Sequence, residues 1–232
     1  MLKIFSLIIL MGSFLFANIG TIMAMSGSAS IHRSGSTLSA KSGMSILNGD
    51  EITTRSKSRV QVILKDDTTL TIGANSSFEF SKFYFDGTKK SNLRMKANRG
   101  FFRAVTGKIG KIAPKRFKVK TLSATIGIRG TDFSGNIMKK REVIRCYSGA
   151  ISVKLDRGGV KNLLAGMLID ITNKNVKIKT NLKPLPFEKI HDKHIRDLIP
   201  PQDIDSRYEK HSEPSYYHDE PYYHTTSGDV SD

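Results

Sequence analysis

Residues 120–133 read KTLSATIGIRGTDF, and the order of side-chain types in this stretch sets the fold class. Lys120 and Thr121 close a run in which Phe117, Val119 and Thr121 alternate with Lys118 and Lys120. Alternation of period two belongs to a strand with one buried and one wetted face. After a short break, Ala124, Ile126 and Ile128 repeat that spacing on one face. Gly127 and Gly130 stand where a side chain would obstruct a close backbone or a turn with positive φ. Arg129 and Asp132 bracket that turn and are expected to pair across it as a structural brace. Their other reading is a ligand contact, in which the guanidinium offers a fork of donors to a carboxylate or phosphate.

The same pattern runs through most of the chain. Val60, Val62 and Leu64 alternate with Arg59, Gln61 and Lys65, and Phe78 and Phe80 flank Glu79. Ile151, Val153 and Leu155 alternate with Ser152 and Lys154, and Val176 and Ile178 with Lys177 and Lys179. Turn chemistry falls between these runs at Asn48-Gly49-Asp50, Asp66-Asp67, Asp86-Gly87 and Arg157-Gly158-Gly159. Asp50 is expected to cap its turn through its own side chain; as a calcium ligand it would lack neighbouring acids. Short strands at regular spacing predict an all-β domain, a sandwich, barrel or solenoid-like stack. A Thr-Ile-Gly step recurs at Thr71 and Thr125, which leans toward stacked units, although two occurrences do not make a repeat.

Residues 120–133 resemble the signature of the FecR-type domain, an all-β domain of the bacterial cell envelope. The resemblance extends to Gly20-Thr21-Ile22, to residues 47–54 (LNGDEITT), to residues 58–68 (SRVQVILKDDT) and to residues 71–78 (TIGANSSF), in the family's order. Gly100-Phe101-Phe102-Arg103 and the stretch from Val105 to Lys111 continue it, so that it covers roughly residues 19–170. Asp66-Asp67 departs from the family's frequent Asp-Gly hairpin turn; Asp tolerates the left-handed region better than most residues, at some cost. The resemblance implies a sandwich or solenoid-like fold and a binding role. In the best-known members the domain belongs to an inner-membrane regulator that senses an iron-transport signal and controls a sigma factor.

The ends of the chain are of different material. Lys3, the apolar run Ile4–Phe16 and Ala17 read as a secretory signal peptide over residues 1–17, cleaved between Ala17 and Asn18. The alternatives are an uncleaved anchor or a cut after Ala24, which would remove the first strand. The apolar core is too short for the ~20 residues of a membrane helix, and no later stretch is apolar enough to span. The expected location is the periplasm or the cell surface. Residues 18–183 form the expected β domain, with 31 Lys and Arg against 10 Asp and Glu, a net of +21. Residues 184–232 carry 5 against 11, a net of −6. Residues 184–201 are expected to be a linker and short helix, with Phe187, Ile190, His194 and Leu198 on one face. Residues 202–232 read as a disordered acidic tail rich in Tyr and His, whose acids could lie on the basic body and mask it. The single cysteine, Cys146, permits no intramolecular disulfide and is expected to be a buried small hydrophobe.

The strongest binding candidate is the stretch 82–120, with 13 Lys and Arg against one acid, Asp86. Clustered cations concentrate anionic partners. Export argues against nucleic acid and toward an envelope polyanion, peptidoglycan or glycolipid, or an envelope sensor protein. The bland alternative is that these are outward residues of half-buried strands spread over several faces. The candidate contacts are Arg103, Lys108, Lys111, Lys115, Arg116, Arg129 and Asp132, with Arg103 expected to stack on the neighbouring aromatic mass. No catalytic set, cofactor motif or metal-ligand spacing occurs in the body, so a non-enzymatic binding module is expected, without cofactor or metal. The alternative is a regulatory partner of a membrane receptor or sigma-factor pathway.

Overall fold

The computed structural model describes residues 18–180. The expected signal peptide, the tail helix and the acidic tail lie outside the described residues. Within them the alternating runs become fifteen strands of one mixed sheet. These are β1 (Asn18–Ser26), β2 (Ala29–Arg33), β3 (Ser36–Ser39), β4 (Ser45–Leu47), β5 (Glu51–Thr54), β6 (Arg59–Leu64), β7 (Thr69–Ile72) and β8 (Ser77–Tyr84). They continue as β9 (Asn92–Val105), β10 (Phe117–Lys120), β11 (Ala124–Met138), β12 (Arg141–Leu155), β13 (Val160–Leu164), β14 (Leu168–Thr172) and β15 (Val176–Lys179). The fold is all-β, as the alternation requires.

Three strands, β9, β11 and β12, run for 14 or 15 residues, and each serves two halves of the sheet. The first half of β9 pairs with β8 and β10, and its second half with β7 and β11. Residues 125–127 of β11 pair with β10, whereas residues 132–137 pair with β9. The second half of β12 takes β13, and the first half takes β14. One layer therefore has the order β3-β2-β5-β8-β9-β10-β11-β12-β13. The other has the order β4-β1-β6-β7-β9-β11-β12-β14-β15. The three long strands belong to both orders, so the two layers are parts of one continuous mixed sheet.

A glycine with positive φ sits at each changeover. Gly100 has φ +83, Gly130 +53 and Gly149 +70. This region is closed to most L-residues and open to glycine. Space closes it further at two of the three. A Cβ on Gly149 would overlap the carbonyl oxygen of Gly130, and one on Gly100 would overlap the side chain of Ser76. The two bends of β11 and β12 are therefore nested.

The inner faces meet in an aromatic series. Phe78 meets Phe80 edge-on at 5.8 Å and Phe102 at a tilt at 5.3 Å. Phe102 meets Phe133 edge-on at 5.9 Å, and Phe133 meets Phe117 at 6.5 Å. Phe78 and Phe117 come from one layer, Phe102 and Phe133 from the other, and all are buried. Each such ring contributes about 1.5–3 kcal/mol by burial alone.

Between β9 and β10 the chain makes a short helix, α1 (Lys108–Ile112), and a 3-10 turn, Pro114–Arg116. This helix was not expected from sequence. Its start is held by the Asp66-Asp67-Thr68 turn. The Asp66 carboxylate accepts from the backbone N–H of Ile109 (3.2 Å) and from Thr68, and its carbonyl accepts from Lys108 N–H (2.6 Å). Burial pushes the Asp66 carboxyl up, against the opposing pull of its hydrogen bonds from Thr68 and Ile109. Asp67 takes φ +66, the left-handed position expected of that turn. Asp50 accepts from Leu47 N–H at 2.8 Å as a turn cap and also receives a two-pronged contact from Arg33.

Replacing Gly149 by alanine is expected to lower unfolding stability by about 2–4 kcal/mol, because strain and overlap add. Gly43, also at positive φ (+81) but with open space around it, should lose only about 1 kcal/mol on the same change. Urea unfolding of the two variants measures the difference.

Candidate binding face

The seven sequence candidates do not converge on one pocket. Arg129 and Asp132 do not pair. β11 changes layer between them, so Arg129 projects from the outer face of the first layer and Asp132 from that of the second. The partner of Asp132 is Arg103, through Nε–Oδ1 at 3.0 Å and Nη2–Oδ2 at 2.8 Å. The pair lies mostly out of solvent. The Arg103 guanidinium stacks on Tyr147, 4.5 Å from the ring centroid, rather than on Phe102, which alternation sends to the opposite face. The Tyr147 hydroxyl in turn meets Ser134 at 3.1 Å.

Lys108 and Lys111 are exposed on α1, and Lys115 and Arg116 on the turn that follows. Lys108 is paired with Asp67 at 2.9 Å. Arg116 donates to the carbonyl oxygen of Lys90 at 3.4 Å.

A different set of cations from the basic stretch does gather. On the outer face of the first layer, Lys82 of β8 stands directly opposite Arg94 of β9, and Arg94 directly opposite Lys118 of β10. Adjacent strands lie about 4.8 Å apart, so three cations share roughly 10 Å. Like charges in opposed positions repel and destabilise a sheet. The neighbouring row on the same face handles this with acids: Lys96 meets Glu79 at 3.0 Å, and Lys120 meets Asp156 at 2.6 Å. None of Lys82, Arg94 and Lys118 has an ion pair among the described residues. The row continues across Gly127, Ser152 and Asn162, which are small or polar and uncharged. Lys118 Nζ reaches to within 3.0 Å of where a Cβ on Gly127 would stand, so the glycine makes room for it.

The sequence marks these three as outward residues of alternating strands. It does not reveal that they are neighbours, because β9 and β10 pair in parallel through a crossover that holds the second half of β9, α1 and the 3-10 turn.

Cys146 is buried, as expected. Burial, and behind it the charge of Asp132, push its thiol up to about 11 from 9.0. The folded chain thus holds a proton that the unfolded chain releases in this range. The associated stability is complete below 9.0 and is lost as pH rises through about 11. Native protein at pH 8 should react with a thiol-specific disulfide reagent at least ~100-fold more slowly than urea-unfolded protein. Equal rates would show that the thiol is accessible.

Residues 50–152 match the family model described as FecR protein. Two crystal structures from Parabacteroides distasonis ATCC 8503, both provisionally described as anti-sigma factors, are distantly similar. The first, at 2.50 Å resolution, has a TM-score of 0.47 and 19% identity over 56% of this chain and 59% of that chain. The second, at 1.65 Å, has a TM-score of 0.46 and 17% identity over 62% and 73%. No curated protein matches.

Proposed function

Residues 50–152 make this a FecR-domain protein, and from that premise we propose that it is a non-catalytic regulatory partner in envelope signalling, docking through its basic sheet face. The observation that carries the proposal is the uncompensated row Lys82-Arg94-Lys118. A sheet face that pairs its cations with acids in one row and leaves the next row bare keeps local charge for a partner. The partner in this reading is an acidic surface of an envelope sensor or receptor, reached in the periplasm or at the cell surface after removal of residues 1–17. Arg103 and Asp132 act in it as a brace of the second layer. Lys108, Lys111, Lys115 and Arg116 contribute long-range attraction only.

A second reading, an anionic envelope glycan such as peptidoglycan, is favoured by the small and polar residues Gly127, Ser152 and Asn162 that extend the row, beside which a sugar chain has room to lie.

Two charge-reversed forms of the full chain separate these readings, one at Lys82, Arg94 and Lys118 and one at Lys108, Lys111, Lys115 and Arg116. Cross-linking in the intact envelope should capture a protein partner with the native chain and the second form, and lose it with the first. Co-sedimentation with purified sacculi tests the glycan. Sedimentation that the first reversal removes would replace the signalling reading by the glycan one. Equal loss from both reversals in either assay would mean that net charge, not the row, drives binding.

A further inference from the structure

A cleft of about 350 Å³ opens between the layers where four turns meet. Leu122 and Ser123 come from the β10–β11 turn, Lys139 and Lys140 from the β11–β12 turn, Asp156 and Arg157 from the β12–β13 turn, and Thr172 and Asn173 from the end of β14 and the turn that follows it. Its base holds Glu142. In β12, Glu142 shares the inner face with Ile144 and Cys146, and it stands opposite Ile137 and Ile171, all core residues. Alternation at this position calls for an aliphatic side chain.

Glu142 is 3% exposed, and its Oε2 has no hydrogen-bond partner; Ser123 Oγ, in the same lining, also has none. A carboxylate oxygen buried without a partner costs the fold stability. The nearby cations that could offset it are engaged elsewhere. Arg141 gives both prongs to Asp170 at 2.8 and 2.7 Å. Arg157 donates to the carbonyl oxygens of Asn173 (3.0 Å) and Thr172 (2.9 Å), tying the turns of the two layers together. Lys120 holds Asp156. Lys139 and Lys140 remain, exposed at the rim and without ion pairs among the described residues. Leu122 and Met138, both largely exposed, add apolar wall, as does Ile171.

We propose that this cleft binds a small zwitterion, an α-amino acid with an apolar side chain. Its ammonium sits on Glu142 and Ser123, its carboxylate on Lys139 and Lys140, and its side chain on Leu122, Met138 and Ile171. The lining excludes simpler ligands. A polyamine meets the cationic rim, a lone anion meets Glu142, and a neutral apolar molecule leaves the carboxylate unpaired. A divalent cation needs more oxygens than one unpaired carboxylate supplies. The inference is independent of the docking face, which lies on the outer side of the first layer.

The test is calorimetric titration of the full chain with leucine, methionine and phenylalanine, beside N-acetyl-leucine, which lacks the ammonium, and leucinamide, which lacks the carboxylate. At least one amino acid should bind. N-acetyl-leucine should not bind, and leucinamide should bind about tenfold more weakly than leucine. Glu142→Gln should abolish binding while melting at or above the temperature of the native chain, since it removes an unpaired charge. Should that variant fail to fold, Ser123→Ala and the K139A/K140A pair should each weaken binding. The Lys118→Glu form should bind amino acids like the native chain. Absence of heat with all three amino acids at about 10 mM overturns the proposal. So does N-acetyl-leucine binding as well as leucine, or full binding by the Glu142→Gln variant.

Discussion

Everything in this fold hangs on three glycines at positive φ, two of which also lack room for a side chain. Gly100, Gly130 and Gly149 let β9, β11 and β12 leave one layer and enter the other without ending. With ordinary residues there, each strand would run straight, and the sheet would expose an apolar face of some nine strands. The bends convert that liability into a closed interior, where Phe78 and Phe117 meet Phe102 and Phe133. They also fix register. A slip of one residue pair would move a side chain into a positive-φ position and invert every inside–outside assignment beyond it.

The same bends decide which polar residues can cooperate. Arg129 and Asp132 are three residues apart in a strand, a spacing that reads as a turn brace. The strand changes layer between them, and the brace becomes Arg103–Asp132, between residues 29 positions apart. On the outer face of the first layer, Lys82, Arg94 and Lys118 come from three strands and lie 12 and 24 positions apart in sequence. Electrostatics of this kind belongs to register rather than to local pattern.

Much of the architecture was nevertheless legible. The alternation of Val60 to Leu64, of Phe117 to Thr121 and of Ile151 to Leu155 reports local physics, burial on one side of a pleated ribbon, and it appears as strands. Asp50 and Asp67 behave as turn chemistry dictates. The short helix α1 was not legible, because Gly107 precedes it, Gly110 lies within it, and its five residues form on tertiary contacts with Asp66 and Thr68. The positions of the basic residues were readable only as exposure, since the parallel pairing of β9 with β10 leaves no periodic trace. Glu142 was hidden for a similar reason. An acid between Arg141 and Val143 looks like a strand-end residue until both its neighbouring strands prove to be core.

The parallel pairing has a kinetic side. Phe117 must return to Leu93 over the rest of β9, the helix and the 3-10 turn before Lys118 can face Arg94. Closing such a loop costs entropy before any contact repays it, and here the last approach brings cation against cation. The repulsion is screened within about 10 Å at 0.1 M salt. Added salt therefore eases the docking of β10, while the nested glycines and the aromatic interior, being uncharged, are indifferent to it. Ionic strength becomes a handle on one step of assembly, acting on the strand that joins the two halves of the first layer.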